Sequence, residues 1–120
     1  MVYRLDFDGI SIIPVEINHA SWMILGYRLG NFAYLTDCSG IPPESMEKLH
    51  GLDLLIISAL RYKEHPAHFN IEQAIQMTQT INPKLAVFTH MGHQVEYDTL
   101  LSELPDNIVP AYDGMEFELE

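Results

Sequence analysis

Gly26-Tyr27-Arg28-Leu29-Gly30-Asn31-Phe32-Ala33-Tyr34-Leu35-Thr36-Asp37-Cys38-Ser39-Gly40 is the stretch whose reading decides the fold. Apolar and aromatic residues running from Trp22 to Tyr27 stop at Gly30-Asn31 and resume as Phe32, Ala33, Tyr34 and Leu35. A Gly-Asn pair between two such runs predicts a tight β-hairpin, because glycine accepts the positive φ that these turns require. The second strand stops at Thr36-Asp37, and Cys38-Ser39-Gly40-Ile41-Pro42-Pro43 is turn chemistry that cannot extend it. With this turn Asp37 falls opposite Ile24, and the chain near Ala20-Ser21 has to bend back for His19 to approach it. A carboxylate delivered to the end of a buried strand is costly unless a metal, an arginine or a helix N-terminus meets it.

Outward from the hairpin, Val2 to Phe7 and Ile10 to Ile17 read as two strands joined at Asp8-Gly9, with Pro14 marking an edge or a bulge. Glu44 to His50 reads as a short helix stopped by Gly51, with His50 a cation compensating the helix end. Leu52 to Ile57 is an uninterrupted apolar run, the pattern of a strand covered on both faces. It ends at Ser58 and opens a polar loop, Arg61 to Asn70, that carries His65 and His68. Asn70 with Gln73 predicts a capping box for a helix whose apolar face is Ile71, Ala74, Ile75, Thr78 and Ile81. Leu85 to Phe88 is a second buried strand, opening into the loop of His90 and His93. A third helix, about Val95 to Leu104, precedes two terminal strands near Ile108 to Pro110 and Met115 to Leu119. The order predicts one α/β domain over residues 1–120, a mixed sheet with helices on one face and polar side chains where the buried strands end.

Lys and Arg number 6 against 17 Asp and Glu, a net charge of −11. Such a surface repels nucleic acid and anionic membranes, so a phosphate-bearing ligand has to be met by a metal or a local cationic pocket. No apolar run reaches the roughly 18 residues of a spanning helix. The single Cys38 fits a reducing compartment and reads as a small buried filler rather than a ligand. The expectation is a cytoplasmic protein with neither a nucleic-acid nor a membrane partner.

Asp37, His65 with His68, and His90 with His93 all follow apolar strands, and His19 precedes one. Imidazole and carboxylate are the usual ligands of Zn²⁺ and comparable metals, and several strand ends together can build a site that one local motif cannot. Taken singly, each residue has a plainer reading: Asp37 capping a turn, His90 closing a strand, His68 capping a helix region, His65 solvated. Arg61, in the His68 loop, is a candidate for holding a substrate phosphate, and His65 a candidate for supporting it.

His19 before a strand, Tyr27-Arg28-Leu29, Tyr34-Leu35-Thr36-Asp37, Ile56-Ile57-Ser58, His65-Pro66-Ala67-His68 and Thr89-His90-Met91-Gly92-His93 together resemble the C-terminal half of a metallo-β-lactamase-fold hydrolase. The nearest branch is that of the phosphoribosyl cyclic phosphodiesterases, with tRNA 3′-processing endonucleases more distant. The resemblance implies half of an αββα sandwich. It also implies that Asp37 bridges two divalent ions, Mn²⁺ or Zn²⁺, in a complete enzyme, that His19 and His90 each ligate one, and that His68 contacts the scissile phosphate and protonates the leaving oxygen. His93 would be a support residue, and the substrate a small cyclic or nucleotide-like phosphate ester.

The family's His-x-His-x-Asp-His motif, which belongs to its N-terminal half, has no counterpart here. The expectation is therefore half a site, inactive alone and holding no metal or one. An apolar sheet face left wet costs about 25 cal/mol for each Å². That predicts a homo-oligomer or a chain that folds against a separate N-terminal half. A non-catalytic fragment, a split-gene subunit and a small metal-binding protein stay open as alternatives.

Overall fold

The computed structural model describes residues 5–7, 10–92, 95–112 and 114–116. The first four strands, β1 (Leu5–Phe7), β2 (Ile10–His19), β3 (Trp22–Leu29) and β4 (Phe32–Leu35), pair antiparallel in chain order. The Gly30-Asn31 hairpin forms as predicted, with Leu29 opposite Phe32 and Gly30 at φ +55°. Helix α1 (Pro43–Met46) and a 3₁₀ turn (Glu47–Leu49) follow in place of one regular helix to His50. Then come β5 (Leu54–Ser58), α2 (Ile71–Ile81), β6 (Leu85–Thr89), α3 (Tyr97–Glu103) and β7 (Ile108–Pro110). From β4 to β7 the pairing is parallel, which completes a seven-stranded mixed sheet in the order β1 to β7.

The turn at Asp8-Gly9 lies outside the described residues, as do His93 and most of the strand expected near Met115 to Leu119, of which Met115 and Glu116 are irregular. Among the described residues no helix is long and apolar enough to cross a membrane.

Alternation along the strands sorts the side chains onto two unlike faces. One carries Val15, Ile17, Ala33, Leu35, Leu55, Ile57, Ala86 and Phe88, all buried beneath α2 and the loop before it, with Phe69, Ile71, Ala74 and Ile81 completing the core. Gly26 sits on this face because Leu35 crosses it: a Cβ there would lie 2.5 Å from Leu35 Cδ2 and 2.9 Å from the Tyr34 carbonyl oxygen. Helix α2 is started by the predicted capping box. Asn70 Oδ1 accepts the Gln73 N–H at 2.7 Å, and Gln73 Oε1 accepts the Asn70 N–H at 2.9 Å.

The other face has no helix over β3 and β4 among the described residues. Tyr27 and Tyr34, directly opposite each other, remain 40% and 42% exposed, and with Ile12, Leu29 and Phe32 they line an apolar depression of about 400 Å³. The open apolar face expected from the sequence is thus present.

Pro14 behaves as an edge residue. The Asn18 N–H points away from β3 to the Gly40 carbonyl. N–H groups alternate sides along a strand, so Pro14, four residues back, turns its missing donor to that same edge. The edge carbonyls are satisfied by side chains of the α1 segment: Ser45 Oγ donates to Glu16 at 2.6 Å and Lys48 Nζ to Pro14 at 3.5 Å. Arg28 locks the hairpin onto the 3₁₀ turn, donating to the carbonyls of Gly30, Lys48 and His50 at 2.7, 2.9 and 2.6 Å. The cation that neutralises the 3₁₀ end is therefore Arg28, while His50 itself stays exposed.

Candidate metal centre

Strands β2, β4, β5 and β6 run in the same direction, so their C-terminal ends gather at one end of the sheet, where ligands of α/β folds collect. His19 closes β2, Asp37 follows β4, and His90 follows β6. His68 stands in the loop that leaves β5.

Asp37 does not continue along β3 opposite Ile24, as the hairpin register suggested. The β3–β4 ladder ends at Tyr27 and Tyr34, and the chain then turns through Asp37 in the left-handed region at φ +56°. It crosses to β2, where Asn18 donates to the Gly40 carbonyl at 2.9 Å and accepts from the Ser39 N–H at 2.7 Å. That crossing, and not a bend in β2, brings Asp37 toward His19. The turn is stapled on two further sides. The Cys38 N–H donates to Ser58 Oγ at 3.1 Å, and the Cys38 carbonyl accepts from the Phe69 N–H at 2.7 Å. Cys38 is itself fully buried, its thiol pushed up to about 12 by burial and donating to the Gly40 carbonyl at 3.2 Å. It fills space as expected and offers no thiolate.

His90 also lies in the left-handed region, at φ +60°. The carbonyl before it, on Thr89, accepts from the Ala59 N–H at 3.0 Å, and Gly92 two residues on donates to Leu60 at 2.7 Å. His65 and His68 form an antiparallel bridge across Pro66-Ala67, and the Leu60 N–H holds the loop through the Phe69 carbonyl at 2.9 Å.

These supports bring five side chains together. His90 Nε2 lies 3.3 Å and His68 Nδ1 3.9 Å from Asp37 Oδ1. The imidazole of His68 is central: its ring centre is 5.1 Å from that of His19, 5.0 Å from His65 and 5.0 Å from His90. Its side chain is 14% exposed, against 49% for Asp37 and 45% for His90. Burial, then His90, His19 and His65, hold the His68 pKa below its ordinary value, with Asp37 opposing.

Asp37, His68 and His90 each offer a donor atom within 4.8 Å of the others. The buried Nδ1 of His68 has no hydrogen-bond partner, which is unusual for a polar atom and leaves it open to a bound group. The group differs in one member from the sequence expectation, which joined His19 to Asp37 and His90. His19 instead lies edge-on to His68, at the end of its own hairpin beside Ala20 at φ +55°. Arg61 is turned away to its own loop, donating to the carbonyls of Lys63 and Glu64 at 3.3 and 3.0 Å. Asn18, which with Ser58 positions the Asp37 turn, carries no local motif that distinguishes it from other strand-end residues.

Residues 2–91 match the model of the beta-lactamase superfamily domain. The chain belongs to the beta-lactamase superfamily. Its fold is that of the metallo-β-lactamase proteins: a crystal structure of a diphosphatase from the PhnP family superposes with a TM-score of 0.96 at 39% identity, over 98% of this chain and 46% of that one. Human short-form tRNase Z superposes at 0.72 with 22% identity, over 95% of this chain and 45% of that one, a likeness of fold alone. A protein of Porphyromonas gingivalis named octanoyltransferase is 40% identical over 109 residues, 89% of this chain and 22% of that protein. The chain thus spans about half the length of the solved structures and a smaller part of that relative. Carboxylate and imidazole donors of the kind gathered at Asp37, His68 and His90 suit a divalent cation.

Proposed function

We propose that this chain carries the C-terminal part of a metal-dependent phosphodiesterase site that acts on a small phosphate ester. The observation that carries the reading is the partnerless Nδ1 of His68, buried beside Asp37 and His90 among three other imidazoles. Asp37 and His90, with His19 nearby, would hold divalent cations, Mn²⁺ or Zn²⁺. A bound cation supplies Lewis acidity toward a phosphoryl oxygen. Burial and the neighbouring imidazoles favour the neutral ring of His68, which would be able to take a proton from the attacking water and return it to the departing alkoxide as the P–O bond breaks. Support from relatives comes from the diphosphatase of the PhnP family at 39% identity. The remaining ligands would come from an N-terminal half, joined or separate, presenting its own apolar sheet to Tyr27 and Tyr34.

The name of the Porphyromonas gingivalis relative suggests acyl transfer, but it describes a protein of which this chain matches 22%. A thiolate nucleophile is also missing, since the single cysteine is buried and protonated. In the intact protein, Asp37→Ala should strip metal, measured by elemental analysis, and His68→Ala should slow turnover of a p-nitrophenyl phosphodiester while retaining metal. Equal metal loss in both variants would make His68 a ligand rather than the proton carrier.

A further inference from the structure

We infer that Ser58 is a positioning residue: its hydroxyl sets where Asp37 stands relative to His90, and with that the affinity of the centre for a divalent cation. The inference rests on the metal-centre reading for what these two side chains hold; how they are held follows from the strand ends alone. His90 Nε2 lies 3.3 Å from Asp37 Oδ1, and both residues stand on loops that leave the sheet beside β5.

β5 is the middle one of the parallel strands β4, β5 and β6, whose exits carry Asp37, His68 and His90. Leu35 ends β4 opposite Ile57, and Thr89 ends β6 opposite Ser58. Three consecutive residues at the end of β5 therefore meet all of the departing chains. Ser58 Oγ accepts the Cys38 N–H at 3.1 Å, and the Ala59 N–H donates to the Thr89 carbonyl at 3.0 Å. The Leu60 carbonyl accepts the Gly92 N–H at 2.7 Å, and the Leu60 N–H donates to the Phe69 carbonyl at 2.9 Å. Asp37, His68 and His90 each stand within two residues of one of these bonds.

Of these four bonds, the one to the Asp37 turn alone depends on a side chain. Peptide groups at Ala59 and Leu60 are present whatever residue stands there, whereas the hydroxyl at Ser58 is a choice of sequence. Ser58 is fully buried, out of reach of bulk water that could replace it. Asp37, at φ +56°, needs such a tie, because a non-glycine residue keeps the left-handed region only while its surroundings over-determine it. Without the hydroxyl the turn keeps two ties, the Ser39 N–H to the Asn18 carbonyl and the Phe69 N–H to the Cys38 carbonyl, so it loosens while the chain still folds. A loosened carboxylate is a weaker ligand, since metal-donor distances hold to within about 0.2 Å.

Ser58→Ala removes the acceptor; Ser58→Cys keeps a weak one of similar size and should give the same readings at smaller amplitude. Ile81→Ala, at the last residue of α2 and so at the opposite end of the sheet, empties a core position and serves as the control. In the intact, metal-free protein, amide exchange at Cys38, Ser39 and Phe69 should quicken about tenfold in Ser58→Ala beyond any change in α2, the effect of one lost hydrogen bond. Ala59 and Gly92, held by peptide groups, should change no more than α2 does. Zn²⁺ affinity, measured by competition with a chromophoric chelator, should fall about tenfold in Ser58→Ala and stay unchanged in Ile81→Ala. Exchange that quickens evenly across the sheet, or an unchanged Zn²⁺ affinity in Ser58→Ala, would overturn the assignment. Absence of Zn²⁺ binding by the unmodified protein would instead remove the metal reading, and the exchange pattern would still decide whether Ser58 holds the Asp37 turn.

Discussion

Asn18 and Gly40 pair as an antiparallel bridge, and this makes the strand end that carries His19 and the loop that carries Asp37 one rigid unit. The bridge matters because Asp37 and His90 both occupy the left-handed region, which costs a non-glycine residue about 1–2 kcal/mol. Such conformations persist only where neighbouring bonds over-determine them. Here the bonds are those of Asn18, Ser58, Phe69, Ala59 and Leu60 to the two turns. The candidate site is thus held by backbone contacts between strand ends.

Ser58 is the side chain most exposed to test in this arrangement. It is fully buried, and its hydroxyl oxygen accepts the Cys38 N–H. Ser58→Ala should leave that donor unsatisfied and cost about 1–3 kcal/mol, read as a lower urea midpoint at unchanged m value. An unchanged midpoint would show that the staple contributes nothing.

Gly26 makes a prediction about packing. Adding a Cβ places it 2.5 Å from Leu35 Cδ2, which can rotate, and 2.9 Å from the Tyr34 carbonyl oxygen, which cannot move without the ladder. Gly26→Ala should therefore destabilise by about 1–3 kcal/mol in thermal or urea unfolding. The added substitution Leu35→Ala should not restore stability, because it relieves only the first contact and empties a core position.

His68 should titrate below the ordinary imidazole value of about 6.5 in the metal-free protein, followed by its ring resonances in NMR. Asp37 raises this pKa, so Asp37→Asn should lower it further. His90 lowers it, so His90→Ala should raise it. Because the folded value is depressed, the unfolded chain takes up this proton first. The contribution to stability is intact above about pH 6.5 and is lost as pH falls through the folded value. A His68 midpoint above that of a histidine in a short peptide would refute the burial argument.

The open face of β3 and β4 predicts association of the 120-residue chain on its own. Tyr27 and Tyr34 face each other across the ladder with Leu29 and Phe32 beside them, a contiguous apolar patch of the kind that marks an interface. Light scattering at micromolar concentration should report a dimer or larger species. Tyr27→Glu combined with Tyr34→Lys should shift it toward monomer without lowering helix content. A stable, monodisperse monomer for the unmodified chain would rule this out.

The amino-acid sequence by itself determined the elements that local physics can specify. Gly30-Asn31 gave the hairpin, Asn70 with Gln73 the start of α2, Pro14 an edge, and the apolar runs at Leu52 to Ile57 and Leu85 to Phe88 the parallel strands. Each depends on residues within a few positions of one another, through φ preference, capping or side-chain alternation. That His19, Asp37, His68 and His90 sit near a shared centre was legible from their places at strand ends. Which of them lie closest was decided only by the tertiary structure. The turn of Asp37 from β3 to β2, the burial of His68 among three other rings and the withdrawal of Arg61 depend on bonds such as Cys38 to Ser58, between residues far apart in the chain. Those bonds exist only once the sheet has aligned its strand ends, so no local pattern encodes them.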